Sequence, residues 1–189
     1  MVLKKANAVL SLLSILGMLV HVGYSVFAYL TFYYNPGLKL LTAMPFMVCA
    51  CLHAVLGMMV VFLQGDGTVL QLYPKLNFRT ILQRLSAALI FPLLIVHLRT
   101  FELMKNAAGQ GKWFLWWLLV VSEVLFFGTL ITHVAVSFSK ALITMGWLGS
   151  SKIQKTMDLV VFVLGALLFV ISVFAVVKGQ IVMFLLTAG

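Results

Sequence analysis

Negative charge is scarce in this sequence: four Asp and Glu in 189 residues, against thirteen Lys and Arg, for a net charge of +9. Charged residues of both signs make up 9% of the chain and hydrophobic ones 63%, and the mean hydropathy is +1.16. A water-soluble domain of this size needs far more charge to cover its surface, so the bilayer is the expected solvent. The positive surplus does not indicate nucleic acid. The basic residues are scattered among apolar runs, form no basic arm, and read as charges flanking membrane spans. Cysteine is nearly absent: Cys49 and Cys51 in VCACLH are the only two. A disulfide between positions i and i+2 of a helix is geometrically poor. CACLH is also not the C-x-x-C-H of covalent haem attachment, which leaves two small thiols packing between helices. With no cysteine set for an iron–sulfur cluster and no dinucleotide-binding fingerprint, the chain carries neither kind of redox centre by itself.

What it has instead is long hydrophobic runs. About twenty apolar residues cross the hydrocarbon core as a helix. That length predicts an all-α membrane protein, one transmembrane domain over 1–189, with five spans at 7–32, 41–64, 80–104, 113–138 and 157–178. The breaks NPGLK, QGDGTVLQLYPKLN, KNAAGQGK and GWLGSSKIQK are rich in Gly, Pro, Asn or Lys. The first run follows Lys4 and Lys5 but is too long for a signal peptide and has no small-residue cleavage site after it, so a retained span is expected. The tail GQIVMFLLTAG is expected to extend the fifth helix or lie in the interface. Lys4, Lys5, Lys75, Arg79, Arg84, Lys140, Lys152 and Lys155 fall on the amino-terminal side, and Lys39, Arg99, Lys105, Lys112 and Lys178 on the other. The positive-inside rule then favours a cytoplasmic amino terminus and an outside carboxyl terminus in a multi-pass cytoplasmic (inner) membrane protein. Trp113, Trp116 and Trp117 would stand in the outer aromatic belt.

The four histidines, His21, His53, His97 and His133, each occupy a different one of the first four spans, and none lies in a loop. A single buried His often does no more than hydrogen-bond a neighbouring helix. Four of them, one per span, are a stronger pattern, because His is costly in lipid and cheap in loops. Imidazoles can serve as axial ligands of haem iron, and helix bundles build such sites from facing side chains. At about 1.5 Å per residue, His21 and His97 lie ~20–25 Å from the cytoplasmic ends of their spans, His53 ~15 Å and His133 ~8 Å. The four sort into an outer pair, His21 with His97, and an inner pair, His53 with His133. Each pair sits on diagonal helices, so the pattern predicts two b haems stacked within a four-helix bundle.

The segments LQRLSAALIFPLLIVH and HVAVSFSKALITMGW followed by SSKIQKTMDLVVFVLG resemble the third, fourth and fifth helices of a known family. It is the five-helix, di-haem cytochrome b subunit of succinate:quinone and quinol:fumarate oxidoreductases. The likeness is clearest over about 75–178, with Gln83 fourteen residues before His97 and Trp147 fourteen after His133. The first two helices match mainly by their single His. The resemblance implies that His53 and His133 hold a haem proximal to the cytoplasmic subunits and that His21 and His97 hold the distal one. It also implies an iron–sulfur subunit and an FAD-containing flavoprotein docked on basic loops 65–80 and 139–156, and a quinone, menaquinone at family level, near the outer side. The chain would be an electron-relaying anchor of an oxidoreductase, with no catalytic residue for dicarboxylate chemistry. Some members of the family carry a glutamate two residues before the fourth-helix ligand, where this chain has Ile131. The carboxylate those members use near the quinol also has no evident counterpart in TFYYNPGLKLLT.

Haem propionates need donors or cations in a low-dielectric interior. Gln83, Arg84 and Lys140, with Thr144 on the same stripe as Lys140, are the proximal propionate candidates and Arg99 the distal one. The alternative for the cations is plain anchoring, and Lys105 and Lys112 could equally snorkel to headgroups. Pro92 and Pro45, five and eight residues before His97 and His53, are expected to disturb their helices. Asp66 and Asp158 are expected to be solvated at the cytoplasmic side. Glu102 and Glu123 are candidates for quinone-linked proton transfer, and Tyr33 and Tyr34 for bonding the headgroup. The competing role for Glu102 is an ion pair with Arg99 or Lys105. Three other functions stay open: the di-haem anchor of a different dehydrogenase or reductase, a haem-free transporter or structural membrane protein with histidines as proton relay or hydrogen-bond partners, and an assembly protein.

Overall fold

The computed structural model describes residues 2–64 and 74–183, with side chains for all of these but 64 and 74–77. Five helices account for nearly all of them: α1 Val2–Thr31, α2 Pro36–Gln64, α3 Pro74–Gly109, α4 Trp113–Met145 and α5 Ser151–Ile181. All five are long and apolar enough to cross a membrane, and no strand is present among the described residues. The protein is an all-α, five-helix membrane protein. Every helix but α1 contains its expected span, and α1 ends one residue short of 32. Most helices run past the hydropathy limits, because Lys and Arg are good helix formers that cost little where a helix end meets the headgroups. Pro45 and Pro92 lie inside continuous helices. Asp66, residues 65–73 of the expected docking loop and residues 184–189 of the tail lie outside the described residues.

The helix ends use the breaker residues directly. Asn35 caps α2, its Oδ1 accepting from Leu38 N at 3.1 Å, with Pro36 in the first helical position, where a missing N–H costs nothing. The Tyr24 hydroxyl donates to Asn35 O and accepts from Asn35 N, both at 2.8 Å, which staples the α1–α2 turn to α1. Gly111 (φ +66°) and Gly146 (φ +80°) end α3 and α4 in left-handed conformations. Behind them Lys112 N donates to Ala107 O and Trp147 N to Leu142 O, and with Gly111 N on Ala108 O and Gly146 N on Ile143 O these close a Schellman motif at each end. Ser150 Oγ caps α5 by accepting from Ile153 N.

The helices pack as two hairpins and a fifth element. α1 packs on α2 and α3 on α4; α1 also meets α4, and α5 lies against both α4 and α1. Among the described residues α2 does not pack on α3, and neither diagonal pair, α1 with α3 or α2 with α4, comes into backbone contact. The bundle is therefore closed on the α1/α4 side and open between α2 and α3.

Its distribution of polarity is inverted relative to a soluble protein. Large apolar residues face outward, with Phe62 81% and Phe162 65% exposed, while Ser86, Thr100, Glu123, Ser139, Ser172 and Gln180 are buried. With lipid outside, no hydrophobic force presses helices together, so close approach and internal hydrogen bonds hold them. Gly17 lets α1 approach α2: a β-carbon there would sit 3.1 Å from Phe46 Cα. Gly165 does the same for α5 on α4, where a β-carbon would lie 2.9 Å from Ile131. Gly179 accommodates the ring of Tyr29 between α5 and α1, beside the Gln180 Nε2 bond to Tyr29 Oη at 2.9 Å. Trp116 departs from the belt expectation. Trp113 and Trp117 are exposed, but Trp116 is fully buried with Met104, Ala107, Leu119 and Val120. The reason is rotation: position 116 lies about 100° around the helix from 117.

A β-carbon at Gly179 overlaps Tyr29, so Gly179→Ala should lower stability by about 1–3 kcal/mol. Gly23→Ala, with open space at that position, should be neutral or slightly stabilising. Thermal unfolding of the two variants in the same detergent compares them directly.

Candidate functional site

Each of the four histidines has its Nδ1 held by the other helix of its own hairpin. In the first hairpin, His21 Nδ1 on α1 lies 3.4 Å from Thr42 Oγ1 on α2, and His53 Nδ1 on α2 lies 3.3 Å from the Asn7 carbonyl oxygen on α1. In the second, His97 Nδ1 on α3 lies 2.8 Å from Glu123 Oε2 on α4. His133 Nδ1 on α4 lies 3.1 Å from both the Gln83 carbonyl oxygen and Ser86 Oγ on α3. These partners fix the tautomer. A carbonyl oxygen can only accept, so Nδ1 of His53 and His133 carries the proton. The Thr42 hydroxyl already donates to Leu38 O at 2.9 Å, which leaves its oxygen to accept from His21. A carboxylate accepts from His97 in the same way. In all four rings the lone pair is then on Nε2, and no Nε2 is engaged in a hydrogen bond among the described residues. An imidazole tied down through Nδ1–H with Nε2 available is the arrangement metal-binding histidines adopt.

The pairing across hairpins is different in kind, because it brings ring to ring. The rings of His53 and His133 are 6.4 Å apart between centroids. Two imidazoles on opposite faces of one metal ion need about 6 Å between centroids, from two metal–nitrogen bonds of about 2 Å and two ring radii of about 1.1 Å. His97 is stacked on Phe126 at 4.7 Å and His21 faces Phe46 at 6.2 Å, so both outer rings have an aromatic wall. Among the described residues no group of three or more His, Cys, Asp and Glu could hold a bare ion. The donor set is thus four imidazoles, of which His53 and His133 stand at the spacing of a planar group ligated from both sides, and it does not fit a naked metal. The missing backbone contact between diagonal helices leaves room for one.

The proposed propionate residues come together beside His133. Lys140 Nζ donates to Thr80 Oγ1 and to Gln83 Oε1, each at 2.9 Å, and the backbone oxygen of that same Gln83 accepts from His133. Arg84 is half-buried on the next position, and Thr144 donates to Lys140 O at 2.8 Å. Arg99 forms an exposed pair with Glu102 at 3.1 Å. Tyr33 and Tyr34 are exposed on the α1–α2 connection, Tyr33 edge-on to Phe27 and Tyr34 under Lys39 Nζ at 5.9 Å. Glu123 is buried, as its position suggested, but its partner is His97.

Asp158 differs from the solvated role expected for it. It takes both nitrogens of the Arg79 fork at 2.8 Å and a further bond from buried Ser139, while Arg79 Nε donates to Val136 O at 2.8 Å. A bidentate guanidinium–carboxylate pair of this kind ties α3, α4 and α5 together at one point. Sequence reasoning missed it, together with Asn7, Thr42 and Ser86. The signal was there for the side chains: isolated polar residues in apolar runs, at depths matching a histidine on the adjoining span. Two of the histidine partners are backbone carbonyls, which leave no trace in a sequence.

No protein-family model, curated protein or solved structure matches the chain.

Removing the charge from the Arg79 partner by Asp158→Asn should cost about 2 kcal/mol of stability. Ser139→Ala removes only one neutral donor and should cost about 1 kcal/mol or less. Detergent unfolding midpoints for the two variants test the order.

Proposed function

We propose that this chain is a di-haem cytochrome b membrane anchor of a succinate:quinone or quinol:fumarate oxidoreductase, the family its residues 75–178 resemble. The observation that carries this reading is the set of four intramembrane imidazoles, each fixed through Nδ1 and open at Nε2, with His53 and His133 at 6.4 Å between ring centroids. His53 and His133 would hold the proximal haem, and His21 and His97 the distal one. Bound between them, haem supplies one-electron carrier chemistry.

The chain's own part is to hold, tune and exclude. The Asn7, Gln83, Ser86, Thr42 and Glu123 bonds orient the four rings and raise their basicity. Lys140, held by Thr80 and Gln83 beside His133, offers positive charge to the proximal propionates, with Arg84 next to it. The apolar shell keeps water from the redox centres and so raises the weight of every nearby charge. On the quinone side, Glu102 is paired with Arg99 and Glu123 with His97. That leaves the exposed Tyr33 and Tyr34 hydroxyls as the groups best placed to bond a (mena)quinone headgroup. With a cytoplasmic amino terminus, the α4–α5 connection and the start of α3 face the partners, an iron–sulfur subunit and an FAD flavoprotein.

A pyridine-haemochrome assay on purified chain, normalised to protein, should read two b haems. His133→Ala and His97→Ala should each leave one. Folded protein without haem would remove this reading in favour of a transporter or structural membrane protein, in which the same histidines only bond neighbouring helices.

A further inference from the structure

Among the four histidine anchors, one is unlike the rest. His21, His53 and His133 give their Nδ1–H to neutral oxygens: a hydroxyl, a peptide carbonyl, and a carbonyl with a hydroxyl. His97 alone gives it to a carboxylate, at 2.8 Å. Glu123 is buried, with 5% of its side chain exposed, and its second oxygen, Oε1, has no hydrogen-bond partner. No Lys or Arg pairs with it: among the described residues Arg79 pairs with Asp158 and Arg99 with Glu102. The negative charge therefore bears on the imidazole and on whatever the imidazole ligates.

We infer that Glu123 is a positioning residue that holds His97 in its Nδ1–H tautomer and lowers the reduction potential of the haem that His97 ligates. The inference rests on the di-haem reading. A carboxylate acceptor pulls the Nδ1 proton, pushes electron density to Nε2 and makes the ring a stronger donor. Ferric iron carries one more positive charge than ferrous iron, so both the stronger donor and the buried negative charge favour the oxidised state. The low dielectric around Glu123 leaves that effect little screened. Quinone-linked proton transfer, the role its position first suggested, would compete with this bond.

The test is Glu123→Gln, which keeps an oxygen able to accept from His97 and removes the charge. In a redox titration of the purified chain followed at the haem absorption band, one of two waves should move to higher potential. The expected change is about tenfold in its reduction equilibrium constant, about 59 mV for a one-electron couple. The other wave should stay. Glu123→Asp, which restores the charge, should return the moved wave toward its original place. If the Glu123→Gln protein loses one haem, retention of that haem by the Glu123→Asp protein supports the inference, and its loss there too overturns it. Two haems with both waves unmoved, or a downward shift, overturns the role of Glu123 and leaves the cytochrome reading intact. A wild-type chain without haem overturns both.

Discussion

An imidazole cannot be left unbonded in hydrocarbon, and the fold is arranged around that constraint. Each of the first four helices carries one such ring, and each ring takes its Nδ1 partner from the helix it packs against within its own hairpin. The anchoring bonds are therefore local, made between neighbours in sequence. The ring-to-ring approach, His53 on α2 with His133 on α4, is made between hairpins. Satisfying one nitrogen inside a hairpin leaves the other nitrogen available across it. A histidine whose two nitrogens were both bonded within its hairpin would be a structural residue and nothing more.

The polar interior follows the same rule. Buried Ser86 sits on His133, buried Ser139 on Asp158, buried Gln180 on Tyr29 and buried Glu123 on His97. None of these pairs is worth more than a few kcal/mol, but in lipid they and the glycine contacts are what gives the helices a defined register, since apolar side chains are as well solvated by acyl chains as by one another.

The helices were legible in the sequence because membrane spans are written in composition: runs of apolar residues ended by Asn35–Pro36, Gly111, Gly146 and Ser150, each of which closes or opens a helix in the structure. The histidines were legible because an ionisable group in a span is out of place, and their sorting by depth put His53 beside His133. Partnerships between helices were not legible. Depth along a span says nothing of rotation about the axis, which is why Trp116 fell in the core and not the belt, and why Asp158, which read as solvated, met Arg79, which read as a charge flanking a span. Gln83 shows the limit most clearly. Its side chain was singled out by spacing, while its backbone oxygen, which holds His133, belongs to no residue type at all.

The contact between α5 and both α1 and α4 bears on how the chain assembles. The α1–α2 and α3–α4 hairpins join segments adjacent in sequence, so each can form as soon as its second helix enters the bilayer, with little loop-closure entropy to overcome. Among the described residues the backbones of the two hairpins meet only along α1 and α4, beside the His53–His133 approach, until the last helix arrives. α5 emerges from synthesis after both hairpins and lies across that seam, touching one helix of each. The helix without a histidine thus completes the body that the other four share: a chain stopped at residue 150 would have all four rings, and among the described residues its hairpins would meet only along α1 and α4 and at the His53–His133 approach.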